Sequence, residues 1–390
     1  MLAATVRVTR DLDLAEECVQ DAYLAALDAW ARDGVPARPG AWLTTAARRN
    51  ALDALRRART MRSKLHLLVE PEATEQAQNP VARDDPLRLV FLCCHPALSA
   101  EAQVALTLRL VCGVSTPDVA RAFLVPEATM AARITRAKKK IVAAGIPFRM
   151  PDAGELPDRV DAVLTVVHLL FTTGHTAPSG ATLTRADLSE RALDLARMLR
   201  ELLPGQREVA GLLALLLVNQ ARRATRTDSD GRLLLLEEQD RSAWDRAAIE
   251  EGDRLVVAAL RGGNAGRFGL QAAIAALHAM APTYADTDWP QVLALYDELM
   301  KVWPSPVVAL NRAVAVAMVA GAADALREVQ ALEHDKRLDG YRYLPAIKAD
   351  LLRRLDRPRE ANEAFRRALE LTDNEAERAF LTARIAETAE

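Results

Sequence analysis

Apolar residues recur along the chain at the three-to-four-residue spacing of one helical face. The pattern predicts two helices over residues 11–31 and 40–60, parted by the loop Asp33-Gly34-Val35-Pro36-Ala37-Arg38-Pro39-Gly40, where glycine and proline interrupt it. Over 66–85 the apolar positions give way to Glu70, Glu72, Glu75, Asp84 and Asp85, with Pro71 and Pro80. Such a stretch has too little apolar surface to fold alone and reads as a linker. Helical patterning returns from Pro86 to about Ala144 and ends in the proline-bearing stretch from Gly145-Ile146-Pro147 to Pro157. From about residue 158 amphipathic helices follow one another, broken near 174–180, 204–205, 226–231, 262–269, 282–290, 304–306, 321 and 356–358. The expected fold class is all-α: small bundles over 1–62 and 86–145, linkers over 63–85 and 146–157, and a helical extension over 158–390.

Near its end the extension repeats itself. Ala320-Gly321 to Leu332 matches Leu355-Asp356 to Ala368 at an offset of 35 residues, with Leu326 falling on Ala361. That period, with the small-residue and Leu/Phe pattern of "LLRRLDRPREANEAFRRALEL", is close to the tetratricopeptide repeat and predicts an α-solenoid.

The sharpest chemical pattern lies in the second bundle. Ser99 can cap a helix running through Cys112, with Val104, Leu108 and Val111 on one face and Gly113 as its stop. A short helix over Thr116 to Leu124 would bury Val119, Ala120 and Phe123, and after Val125 a third helix would begin with Pro126 in its first position. Within that helix Met130, Ile134, Ala137 and Ile141 form an apolar stripe, while Thr129, Arg133, Arg136 and Lys140 form a polar, cationic one. One packing face and one cationic face on the second helix of a tight pair is what a helix-turn-helix presents to the major groove. Lys138, Lys139 and Lys140 would add phosphate contacts.

The first bundle offers a second basic helix. Between Arg48 and Lys64 stand seven cations (Arg48, Arg49, Arg56, Arg57, Arg59, Arg62, Lys64) and one acid, Asp53, four residues from both Arg49 and Arg57 and so placed to pair with either. Net charge is −2, but residues 1–150 carry 21 Lys+Arg against 16 Asp+Glu and the remainder 30 against 37. A basic front on an acidic body points the front at a polyanion.

Composition narrows the classes further. Half the residues are hydrophobic and only 4% aromatic, a mix that favours helices. No stretch approaches the apolar length of a membrane span and no signal core stands at the front, so the cytoplasm is expected. Cys18, Cys93, Cys94 and Cys112 give no disulfide framework. Cys93-Cys94-His95 has no complementary cluster at zinc spacing, and adjacent helical side chains diverge by about 100°, so core packing is expected and no metal. Gly262-Gly263-Asn264-Ala265-Gly266 lacks the strand and the Lys-Ser/Thr of a phosphate loop. His168, His175 and His278 have no nucleophile or carboxylate at a recognisable spacing; neither an enzyme nor a cofactor is expected. Gln239-Asp240-Arg241 and Trp244, with Asp288-Trp289, suit either a partner groove or ordinary helix packing.

These segments resemble the extracytoplasmic-function sigma factors, in particular the subfamily with a long C-terminal helical extension. "DLDLAEECVQDAYLAALDAW" with "ARPGAWLTTAARRNALDALRR" resembles region 2, and "FLCCHPALSAEAQVALTLRLVCGVSTPDVARAFLVPEATMAARITRAKKKI" is similar to region 4. "LPGQREVAGLLALLL", "LLEEQDRSAWDRAAI", "LQAAIAALHAMAPTYADTDWPQVLALYDEL" and "PSPVVALNRAVAVA" resemble the extension. The resemblance implies a factor that binds RNA polymerase core, through its β′ clamp and β flap, and directs it to promoter −10 and −35 elements. It places Glu17, Gln20 and Asp21 on the clamp-docking helix. The 33–40 loop and the helix with Arg48, Arg49, Asp53, Arg56, Arg57 and Arg59 would engage the −10 element. Thr129, Arg133, Thr135, Arg136 and the lysine run would engage the −35 element, and the acidic linker would run near the RNA exit path. The extension is expected to regulate in cis or recruit a regulatory protein.

Three departures stand out. Met1 falls inside what resembles the first helix of region 2, Ala47-Arg48-Arg49 stands where the family shows Ala-Arg-Asn, and Thr172-Thr173 occupies the extension's usual Asn-Glu pair. The competing expectation is a free-standing helix-turn-helix regulator with a repeat-built sensor, which would need no second basic helix.

Overall fold

The structure is a computed structural model and describes residues 1–65, 85–123, 125–176, 179–180, 183–229 and 231–388. The acidic linker expected up to residue 85 lies outside the described residues over 66–84, while Asp85, expected in that linker, begins α4 instead, buried and paired with Arg7 at 3.4 Å. The fold is all-α, with 18 α-helices among the described residues and two two-residue strands. It divides into two compact units, Met1–Val166 and Val167–Glu390.

The first unit opens with α1 (Leu2–Thr9), α2 (Leu12–Asp33) and α3 (Pro39–Leu65). Residue Arg10 turns left-handed at φ 53°, and the Asp11 carboxylate then caps α2 by accepting from the amides of Asp13 (2.9 Å) and Leu14 (3.0 Å). The interface between these helices is built from small side chains: Ala15, Ala22, Ala47 and Ala51 are fully buried, which brings the backbones close. Asn50 donates across it to the Cys18 carbonyl (3.3 Å), and the Trp30 and Trp42 rings meet edge to face at 5.6 Å.

Next come α4 (Asp85–Cys93) and α5 (Ala100–Leu106), the latter continuing as a π-helical turn over Thr107–Val111, then α6 (Thr116–Ala122) and α7 (Glu127–Ala143). The helix expected from Ser99 through Cys112 thus changes pitch half-way, before Gly113 ends it at φ +70°. Phe91, Leu106, Leu108 and Met130 form the centre of this bundle. Cys93 and Cys94 are fully buried within it, and burial raises both thiols, that of Cys94 to about 12. Thiols held so far from ionisation are packing residues, as expected from the sequence.

The second unit takes up the chain within α8 (Leu156–His175) and continues through α9 (Ala186–Leu202), α10 (Arg207–Ala221), α11 (Arg246–Leu260), α12 (Arg267–Met280), α13 (Trp289–Val302), α14 (Pro306–Val319), α15 (Ala322–Leu332), α16 (Tyr343–Arg354), α17 (Pro358–Glu370) and α18 (Glu375–Glu387). Successive helices pack as antiparallel neighbours, the solenoid arrangement. The 35-residue repeat is real in three dimensions. Gly321 and Asp356, 35 positions apart, both turn left-handed (φ 101° and 56°), and the aligned pairs Leu326/Ala361 and Val329/Ala364 are all buried. Ser179–Gly180 pairs in parallel with Asp373–Asn374, tying the start of this unit to its last helix.

Two glycines permit a close crossing of α10 and α12. A β-carbon on Gly211 of α10 would lie 2.5 Å from the Gly269 nitrogen of α12. The glycine-rich segment at 262–266 is no open cradle either: Glu208 fills it, its carboxylate accepting from the amides of Phe268 (2.9 Å) and Gly269 (3.1 Å). The start of α12 is thus neutralised by the chain's own acid.

Candidate nucleic-acid interface

Ser115 opens α6 in a reciprocal cap: its hydroxyl accepts from the Asp118 amide and donates to the Asp118 carboxylate. Val119 and Ala120 bury one side of this short helix, and the Val125 amide closes the turn onto the Ala120 carbonyl at 3.1 Å. Pro126 lies one place earlier than expected, capping α7 from outside rather than occupying its first turn. All four stripe residues of α7, Met130, Ile134, Ala137 and Ile141, are buried. The opposite face carries Thr129, Thr135, Arg136, Lys139 and Lys140 exposed, with Arg133 half-buried at its edge. Arg136 bends back to donate to the Ala132 carbonyl (3.2 Å), and no acid pairs with Arg133, Arg136, Lys139 or Lys140 among the described residues. An unneutralised cationic ridge on the second helix of a tight pair is chemically equipped for phosphates and base edges.

Lys138 is different. Only 12% of its side chain is exposed, and its ammonium donates to Asp13 (2.7 Å) and Glu16 of α2, while Arg109 pairs with the same Glu16 at 2.9 Å. Burial disfavours the charge, but the two carboxylates overcome that and raise its pKa. In this arrangement Lys138 fastens the second bundle to the first instead of facing outward with its two neighbours.

On α3, Arg48, Arg49, Arg56 and Arg57 are exposed; the side chain of Arg59 lies outside the described residues. Asp53 pairs with Arg56 (3.7 Å), not with the Arg49 or Arg57 that the four-residue spacing suggested. Glu17, Gln20 and Asp21 are exposed on α2, and beside them runs a feature the sequence reading missed: Tyr23, Leu24 and Leu27 lie 52%, 62% and 70% exposed. Three large apolar side chains on one helical stripe, edged by acids, have the chemistry to contact protein rather than nucleic acid. Their spacing from the buried Ala22 and Ala26 was the available signal. In the second unit, Thr172 and Thr173 turn their hydroxyls back onto the Leu169 carbonyl (3.0 and 2.8 Å), a helix-internal use. Trp244 is core, 4% exposed and bonded to the Thr225 hydroxyl at 2.8 Å, which decides it for packing.

Comparison with known families places names on these surfaces. Residues 2–60 match sigma-70 region 2, residues 88–141 match sigma-70 region 4, and residues 159–260 match a family of unknown function. An uncharacterized protein of Rhizobium meliloti (strain 1021) is 43% identical over 387 residues, covering 97% of this chain and 91% of that protein. The chain is a sigma-70 family factor. It is of the extracytoplasmic-function type with a C-terminal extension, and its partners are RNA polymerase core and promoter DNA. No solved structure matches it. The sigma factor's region 2 spans α1 to α3 and its region 4 spans α4 to α7, while the extension's matched segment covers α8 to α11. Among its described residues no helix is long and apolar enough to cross a membrane, and no cluster of three metal-ligating side chains occurs.

Proposed function

We propose that this sigma factor reads the −35 element through Arg133, Thr135 and Arg136 of α7, with Thr129, Lys139 and Lys140 on phosphates, and engages the −10 element through Arg48, Arg49, Arg56, Arg57 and Arg59 of α3. Lys138 joins the phosphate contacts only once it leaves Asp13 and Glu16. The α2 surface of Glu17, Gln20, Asp21, Tyr23, Leu24 and Leu27 docks on the β′ clamp, and region 4 sits at the β flap. The bundles follow the bounds 1–62 and 86–145, the factor acts in the cytoplasm without catalysis of its own, and residues 158–390 regulate it in cis or through a partner protein. The observation that carries this reading is the presence of two separate helices with exposed cationic faces together with an exposed apolar stripe. A free-standing helix-turn-helix regulator would need neither the second cationic helix nor the stripe.

Run-off transcription with core polymerase and promoter DNA tests it. Arg136→Ala is expected to weaken promoter use by about 1–3 kcal/mol while core binding is unchanged. Deleting 158–390 is expected to change the level of transcription but not the promoter chosen. Specific duplex binding by the protein alone, unaffected by core enzyme, would decide for the free-standing regulator.

A further inference from the structure

The second unit holds a partly open cavity of about 450 Å³, inside the range of roughly 300–1,000 Å³ typical of small-molecule sites. It lies within the solenoid, between the segment at 233–237, the α13 and α14 helices, and α16 to α18. One wall is an aromatic cluster: the Trp289 ring meets Tyr284 edge to face at 5.4 Å and His278 at 5.1 Å. Tyr296, Tyr343 and Phe380 continue the lining.

The wall's three arginines are each paired within the protein. Arg342 pairs with Glu377 at 2.9 Å, and Glu377 also accepts the Tyr343 hydroxyl at 2.7 Å. Arg354 pairs with Asp350 at 2.7 Å, and Arg384 with Glu387 at 2.8 Å. Three arginines and three acids (Glu237, Asp350, Glu377) line the space, so its net charge is zero. What is left over is neutral hydrogen-bonding capacity. The exposed Asn311 amide and the half-buried Tyr296 hydroxyl and Trp289 indole N–H make no hydrogen bond among the described residues, so a ligand can take the place of solvent on them, while the His278 Nδ1 is buried without a partner. A buried polar atom left unmatched is costly unless something else meets it.

We infer that the extension is a receptor for an aromatic small molecule that carries no negative charge, held in this cavity by stacking against Trp289 and Tyr296 and oriented by a hydrogen bond to Asn311. An anionic ligand would find every arginine of the wall already paired with an acid, and would lose hydration without gaining a free counter-charge. This inference does not rest on how the first unit uses DNA, and its test involves neither polymerase nor promoter.

The probe is N-phenyl-1-naphthylamine, an uncharged aromatic fluorophore, titrated into the full-length protein, with 8-anilinonaphthalene-1-sulfonate as the anionic counterpart of similar ring system. The neutral probe is expected to saturate at one per chain with blue-shifted emission, and the sulfonate to bind at least about tenfold more weakly. Val314→Trp, which fills the lumen, is expected to abolish binding with far-UV circular dichroism unchanged. Asn311→Leu, at an exposed position that risks no folding defect, is expected to weaken it about threefold or more, the worth of one neutral hydrogen bond. Absence of saturable binding, binding indifferent to both substitutions, or a sulfonate that binds as tightly as the amine would overturn the inference.

Discussion

Lys138 stands next to Lys139 and Lys140 in sequence but not in space. Successive helical positions diverge by about 100°, so three lysines in a row cannot share a face. Lys138, four residues past Ile134, falls beside the buried stripe, where Asp13 and Glu16 receive it. Replacing it with methionine keeps the apolar stem and removes the charge. Lys138→Met is expected to destabilise the first unit by about 1–3 kcal/mol, the worth of hydrogen bonds to a charged group, measured by urea denaturation. It is also expected to raise, not lower, the DNA affinity of the free protein. Arg136→Ala is its opposite: exposed, unpaired with any acid, and expected to lose promoter affinity with stability unchanged. A drop in free-protein DNA binding on Lys138→Met would mean that the lysine already faces nucleic acid.

At the scale of elements, α2 carries two jobs. Its buried alanines pack on α3, and its outer side exposes Tyr23, Leu24 and Leu27. Leu24→Glu and Leu27→Glu alter only exposed positions, so stability should move by no more than about 0.5 kcal/mol. Affinity for core polymerase, measured by biolayer interferometry, is expected to fall at least tenfold. Much of this architecture was legible in the sequence. The stripes of α7, the short helix before it and the loop at 33–40 all follow from apolar spacing and turn residues, because those features are local. What could not be read is set by distant partners. The π-helical turn at Thr107–Val111 and the choice of Arg56 by Asp53 depend on packing or side-chain rotamers. So does the filling of the 262–266 segment by Glu208, about 60 residues away. The helix over Leu2–Thr9 is expected only from the family resemblance, because eight residues give too short a window for periodicity.

For the molecule as a whole, acid should act first on the extension. His168 and His278 are lowered to about 4 and His175 to about 2, in each case mainly by burial, with nearby arginines adding to it. A histidine that stays neutral when folded but protonates near 6.5 when unfolded contributes stability that is complete above that pH. That contribution is lost as pH falls from about 6.5 towards 4. Thermal unfolding of the second unit should therefore shift down over this window, and His278→Gln should flatten the dependence. A transition temperature constant from pH 7 to 4.5 would contradict the buried neutral histidines.

The salt link between α2 and α7 has a further consequence. Elements named for positions 10 and 35 are about 25 base pairs apart, roughly 85 Å at 3.4 Å per pair, whereas a compact body of 166 residues has a radius of gyration of about 15 Å. On the proposed reading, α3 and α7 cannot both reach their elements while Lys138 stays with Asp13 and Glu16, so the unaccompanied factor would pay an opening penalty before spanning a promoter. Those two acids sit one helical turn from Glu17 and Gln20, so on the proposed docking of polymerase at α2 its surface would compete for the carboxylates that hold Lys138. Order of assembly would then be written into a single helix: polymerase first, DNA second.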